Sequence, residues 1–122
     1  MWQQYVDELV GTVSQAAILD HNGGILAKSP EIDIAQSEAA AILASFQDTT
    51  AIQRNGFSVD AQKYGTTQAN GHSLYGANGG SSVLAVKTKH TVLVAVYKAP
   101  TNPGNAERAV RDLADQLINA GY

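Results

Sequence analysis

The sequence predicts an α+β domain organised around antiparallel strands. Two observations carry this. Both ends of the chain repeat apolar residues at helical spacing, whereas the stretch beyond Gly56 alternates and is broken by Asn70-Gly71 and Gly79-Gly80 at hairpin-like intervals. The connections between those strand-like runs are too short for parallel crossovers, so neighbouring strands run antiparallel.

The elements follow in order. Trp2, Tyr5, Val6, Leu9 and Val10 share one face of a first helix, opposite Gln3, Gln4, Asp7 and Glu8, with Gly11 as its stop. Ala16-Ala17-Ile18-Leu19 reads as a short strand, and His21-Asn22-Gly23-Gly24 as the turn into Ile25-Leu26-Ala27. Asp33 followed by Gln36 has the form of a capping box, opening a helix with apolar positions Ala39, Ile42, Leu43 and Phe46. Phe57 and Val59 alternate with polar residues, as do Leu74 and its neighbours. Ser82 to Thr88 and Thr91 to Tyr97 pair as a hairpin about Lys89-His90. Asn102 is placed to cap a closing helix with Pro103 at its first position, where a missing N–H costs nothing. Its apolar face is Ala106, Ala109, Val110, Leu113, Ala114, Leu117 and Ile118, and Gly121 ends it. No repeat or linker interrupts this order, which predicts one domain over residues 1–122.

Composition removes several classes of function. A chain of 122 residues buries roughly two-thirds of its unfolded surface, enough for a core without staples. Eight Lys and Arg stand against eleven Asp and Glu, net −3. Duplex nucleic acid and anionic membranes both call for a dense basic surface, so neither is expected as the main partner. The absence of cysteine excludes disulfides, thiol catalysis and thiolate metal sites. The longest apolar run, Val92 to Val96, is far too short to cross a bilayer. No basic and apolar leader pattern is visible at the start, so a cytoplasmic address is expected.

Chemistry is sparse. His21, His72 and His90 all fall at or beside predicted turns with no helical pairing, so solvated histidines are expected and no metal site. No G-x-S-x-G elbow supports a nucleophile. Gly76-Ala77-Asn78-Gly79-Gly80-Ser81-Ser82 lacks the lysine and the following helix of a phosphate loop, and reads as a β-turn. No catalytic residue and no cofactor are expected. The aromatics say more: Trp2 and Tyr5 lie in the first helix and Tyr122 at the last position. These rings either fill the core or, if both termini pack on one sheet face, line an exposed groove. Such grooves take polyproline II ligands, whose pre-extended backbone loses little entropy on docking.

The residues now assembled resemble the profilins. The resemblance rests on Trp2-Gln3-x-Tyr5-Val6-Asp7, Ala16-Ala17-Ile18-Leu19, Ser73-Leu74-Tyr75-Gly76, Val86-Lys87-Thr88, Pro103-Gly104 and Leu113-Ala114-Asp115, with Leu117-Ile118 and a terminal aromatic. It covers essentially the whole chain and is strongest to the short profilins of amoeboid protists. It implies an antiparallel sheet with the terminal helices on one face and a further helix on the other. It also implies a cytoplasmic, cytoskeleton-associated monomer that binds monomeric actin and proline-rich segments of actin regulators, and that speeds nucleotide exchange on actin without catalysing a covalent step.

Carried over by position, the proline-ligand groove falls at Trp2, Tyr5, Leu26, Gln116, Leu117 and Tyr122. Leu26 stands where many relatives carry Trp, and Gln116 where they carry His or Tyr, so stacking area is lost. Since an aromatic contact adds roughly 0.5–1.5 kcal/mol beyond burial, weaker binding is expected rather than none. The actin face falls at Lys63, Thr66, Gln68, Ser82, Asn102, Gly104, Arg108 and Asp112. Gln68 and His72 replace frequent arginines, and Ala77-Asn78 replaces a lysine pair. The missing cations predict slower or weaker actin binding and argue against phosphoinositide binding. Two other readings remain open: an adaptor of the same fold with little affinity for actin, and a small-ligand sensor, which needs an interior pocket.

Overall fold

The computed structural model describes residues 2–30, 32–98 and 102–122. Seven strands, β1 (Gln15–Asp20), β2 (Ile25–Lys28), β3 (Phe57–Val59), β4 (Gln62–Ala69), β5 (Ser73–Asn78), β6 (Ser81–Lys87) and β7 (Thr91–Lys98), form the sheet. Their spatial order is β2-β1-β7-β6-β5-β4-β3, antiparallel at every pairing. Helices α1 (Trp2–Val10) and α4 (Pro103–Asn119) cover one face, and α2 (Gln36–Ser45) and α3 (Thr50–Asn55) the other. This is the α+β arrangement expected from the sequence, with two short helices rather than one on the second face.

The sheet's two sides explain its sequence. In β7, Leu93, Ala95 and Tyr97 face the terminal helices while Val92, Val94 and Val96 face α2 and α3. A strand covered on both sides reads as a continuous apolar run rather than an alternating one. β1 and β6 flank it and divide in the same way: Ile18 and Leu84 lie on one side, Leu19 and Val83 on the other. Truncating such fully buried side chains costs about 2–5 kcal/mol each, which fixes this central trio as the rigid platform for the surface sites.

Three local expectations are corrected. Asp33 does not cap α2. The N-cap is Ala35, whose backbone N–H donates to Glu38 Oε1 at 2.9 Å, while Asp33 donates its own N–H to Asp60 Oδ1 at 3.2 Å. Val10 is 38% exposed because the chain turns at Gly11, and Val13 takes the buried place. The α3 helix and the tight β3–β4 turn are additions. In that turn Asp60 and Ala61 both adopt positive φ, 55° and 62°, a two-residue hairpin conformation normally left to Asn and Gly. Glu38 stabilises it: Oε1 accepts the Asp60 N–H at 3.1 Å and Oε2 the Ala61 N–H at 2.8 Å. One nearly buried carboxylate thus joins the start of α2 to the hairpin. Gly76 lies within β5, not in the turn, and glycine is required there because a Cβ would stand 2.6 Å from the Phe57 ring.

Candidate functional site

The chain's two helical ends meet on one sheet face. Val6 and Leu9 anchor α1 in the core, and Val110, Leu113 and Leu117 anchor α4. The three-residue spacing of Trp2 and Tyr5 puts both rings on the same side of α1, 6.1 Å apart and tilted by 55°. Trp2 then meets Tyr122 edge-to-face at 4.9 Å and 74°. All three rings are half-buried, packed against a floor that includes the fully buried Leu117.

Tyr122 reaches this position through the end of α4. Gly121 has φ 98°, its N–H donates to Ile118 O at 3.0 Å, and the Tyr122 N–H reaches back to Leu117 O at 2.8 Å. This is a Schellman motif, which reverses the chain and closes the helix's last carbonyls. The Tyr122 carbonyl is then held from the β6–β7 turn: it accepts from the His90 N–H and from Thr88 Oγ1, the latter at 3.0 Å. Gly121 was legible as a helix stop. Thr88 stands in one of the motifs of the resemblance, but nothing local shows that its hydroxyl meets a residue 34 positions away.

The structure therefore brings Trp2, Tyr5 and Tyr122 into one aromatic cluster over the buried Leu117. Gln116 is exposed on α4 beside Leu117. Leu26 is 37% exposed on the edge strand and is the extra residue of a bulge, since Ala27 pairs with Ile18 and Ile25 with Leu19.

The second surface lies across β4–β6 and the start of α4. Gln68 pairs with Tyr75, and Ser82 with both Ala77 and Tyr97, which places Gln68, Ala77 and Ser82 on the α4 side of the sheet. Lys63 falls on the same side by alternation along β4. Arg111 reaches over the Tyr75 ring, 5.7 Å from its centroid. Asn102 caps α4, its Oδ1 accepting the Asn105 N–H at 3.2 Å, and Gly104, Arg108 and Asp112 are exposed along the helix. Thr66 is the exception. It pairs with Gly76, whose partner Val83 faces the opposite layer, and its hydroxyl donates to Ile52 O of α3 at 2.5 Å. Its side chain therefore faces the α3 side of the sheet, unlike those of Lys63, Gln68 and Ser82. Asn78, at one of the positions where lysines are frequent, spends its amide on Lys63 O at 2.9 Å.

Burial raises the Tyr97 phenol above its ordinary value of 10.0, and the negative charge of Glu107 on α4 adds to the effect. Tyr64 is raised in the same way, by burial first and then by Asp60. Both therefore stay neutral at physiological pH. The exposed Asp48 is lowered by the Thr50 backbone N–H and then by the Thr50 hydroxyl, marking the entry to α3. Among the described residues, no cluster of three His, Asp or Glu side chains is placed to hold a metal ion. A hollow of about 410 Å³ between α2 and α3, lined by Ala41, Ala44, Ala51 and Ile52, lies at the surface and not in the interior that a ligand sensor would need. Among the described residues no helix is long and apolar enough to cross a membrane.

Comparison with known proteins agrees with this geometry. The sequence profile of the family described as Profilin matches residues 1–122. Profilin-2 of Acanthamoeba castellanii is 42% identical, over 99% of this chain and 98% of its own. The solved structure of Acanthamoeba castellanii profilin IB superposes with a TM-score of 0.96 at 37% identity, covering all of both chains. The chain belongs to the profilin family. At 20% and 19% identity, mouse profilin IIa, solved in complex with a double repeat from an FH1 domain, and LokiProfilin2, solved in complex with rabbit actin, share its fold.

Proposed function

We propose that this protein is an actin-monomer-binding profilin that regulates polymerisation and nucleotide exchange on actin and holds proline-rich ligands between its terminal helices. The observation that carries the reading is the edge-to-face packing of Trp2 on Tyr122 at 4.9 Å, which joins the two ends of the chain into one aromatic surface. A polyproline II ligand presents flat rings and unpaired carbonyls. Half-buried aromatics offer both a stacking face and, through the indole N–H and phenol O–H, donors for those carbonyls. Actin would dock on the face carrying Lys63, Gln68, Ser82, Asn102, Gly104, Arg108 and Asp112, leaving the groove available. Thr66, turned toward α3, borders that face from the other side of the sheet. This is a non-enzymatic role in the cytoplasm, exercised by a monomer.

The test is a two-ligand assay. The protein should lower the rate of actin polymerisation in proportion to its concentration, and a saturating proline peptide should leave that effect in place. No effect on actin at high protein excess, with peptide binding intact, would overturn the actin half and leave an adaptor.

A further inference from the structure

Three turns converge at one end of the sheet. The register pairs Asp20 with Thr91, Lys87 with Val92 and Ser73 with Val86, so the residues just beyond these strand ends lie side by side. Those residues include all three histidines of the chain: His21, His90 and His72. With them come Lys87 and Lys89, two of the chain's eight Lys and Arg. A hollow of about 430 Å³ opens there, lined by His21, His72, Lys87, Thr88, Lys89 and Ile118, with no carboxylate in its wall. It adjoins a second hollow of about 250 Å³ that shares His72, Lys87 and Ile118 and is bounded by Arg111 and Asp115. In a chain of net charge −3 this is a local concentration of cationic and polar groups over an apolar floor.

Its position relative to the aromatic groove decides its use. Thr88 lines the hollow and donates to the Tyr122 carbonyl, and Ile118 precedes Tyr122 by one helical turn. His21 is oriented by a contact of Nε2 with Thr91 O at 3.2 Å. The hollow thus begins where the groove ends.

We propose that it is an extension of the ligand groove that takes acidic residues immediately flanking the proline run of the same ligand. The proposal rests on the groove reading above. Charge complementarity selects a carboxylate-bearing segment, and continuity with Tyr122 selects one tethered to the prolines. A membrane headgroup layer is disfavoured, because stable binding to it takes a broader cluster of Lys and Arg than the two lysines here.

The experiment compares calorimetric titrations of a peptide of about ten prolines, the rigid extended ligand form, with the same peptide carrying a pair of glutamates at one end or the other. One placement should bind about fivefold tighter at low ionic strength, the size expected for a few partly exposed charge pairs, and the gain should fade with added salt. The double variant Lys87→Gln/Lys89→Gln should lose that gain while binding the plain peptide as before. Equal affinity for plain and acidic peptides would overturn the proposal alone, as would a gain that survives in the double variant. No binding of the plain peptide would overturn the groove reading and this extension with it. Binding to phosphatidylcholine vesicles containing phosphoinositide, abolished in the double variant while glutamates add nothing, would replace the peptide flank by a membrane.

Discussion

Replacing Gly121 by alanine tests how the groove is built. The residue has φ 98°, yet a Cβ there meets nothing within 4 Å, so Gly121→Ala adds a backbone penalty without a clash. Holding an L-residue in the left-handed region costs roughly 1–2 kcal/mol. The cheapest escape is release of the last two residues, which gives up the Tyr122 N–H bond to Leu117 O and the ring's contact with Trp2. Ligand binding must then restore that geometry, so affinity should fall by about five- to thirtyfold, the same penalty expressed as a dissociation constant. Titration of an oligoproline peptide, read by Trp2 fluorescence and by calorimetry, measures it. A semisynthetic protein with D-alanine at position 121, for which positive φ is natural, should bind like the parent. Affinity within twofold of the parent for Gly121→Ala, or no rescue by D-alanine, would refute the reasoning.

Other consequences are as direct. Glu38→Ala removes the carboxylate that accepts the N–H groups of Ala35, Asp60 and Ala61, all three in partly buried bonds. A hydrogen bond to a charged group contributes about 1.5–3 kcal/mol, less where water can replace the acceptor, so urea unfolding should show a loss of about 1–3 kcal/mol. Gly76→Ala forces a methyl to within 2.6 Å of the Phe57 ring, and a drop in the thermal midpoint of several degrees is expected from overpacking. The tyrosines set the alkaline limit. Tyr64 and Tyr97 are raised above 10.0 in the folded state, so the unfolded chain loses these protons first; their contribution is complete below that pH and is lost as pH rises through the raised values. Denaturant midpoints measured across that range should fall, and fall less in Tyr97→Phe. On the actin face, Ala77→Lys restores a cation opposite Ser82, and stopped-flow association with actin should quicken by about two- to tenfold at low salt with little change in dissociation rate.

Much of this was legible in the sequence because it is periodic. The helical stripe from Trp2 to Leu9 and the β-branched runs of β6 and β7 answer to one geometry each, and the closing helix is bracketed by Asn102 and Gly121. What escaped is non-local. Asp60 and Ala61 carry no turn signal of their own; their conformation is supported by a carboxylate 22 and 23 positions earlier. The α3 helix, six residues long, is too short for a periodic stripe, although Asp48 before it and Gly56 after it are legible boundaries in hindsight. In the site, Trp2, Tyr5 and Tyr122 were legible as chemistry, but the hydrogen bonds that fix Tyr122 come from Thr88 and His90, which only the fold brings near. The side Thr66 faces was illegible for a related reason: its strand position does not reveal it until pairing with Gly76 is known.

The most direct test of the whole account is a magnetic-resonance map of isotopically labelled protein during titration with oligoproline. The indole N–H of Trp2 and the backbone signals of Tyr5, Leu117 and Tyr122 should shift together and saturate at one concentration, while Lys63, Gln68 and Ser82 stay still. Shifts centred on the β4–β6 face, or none at all at millimolar peptide, would contradict the claim that the two terminal helices form the ligand groove.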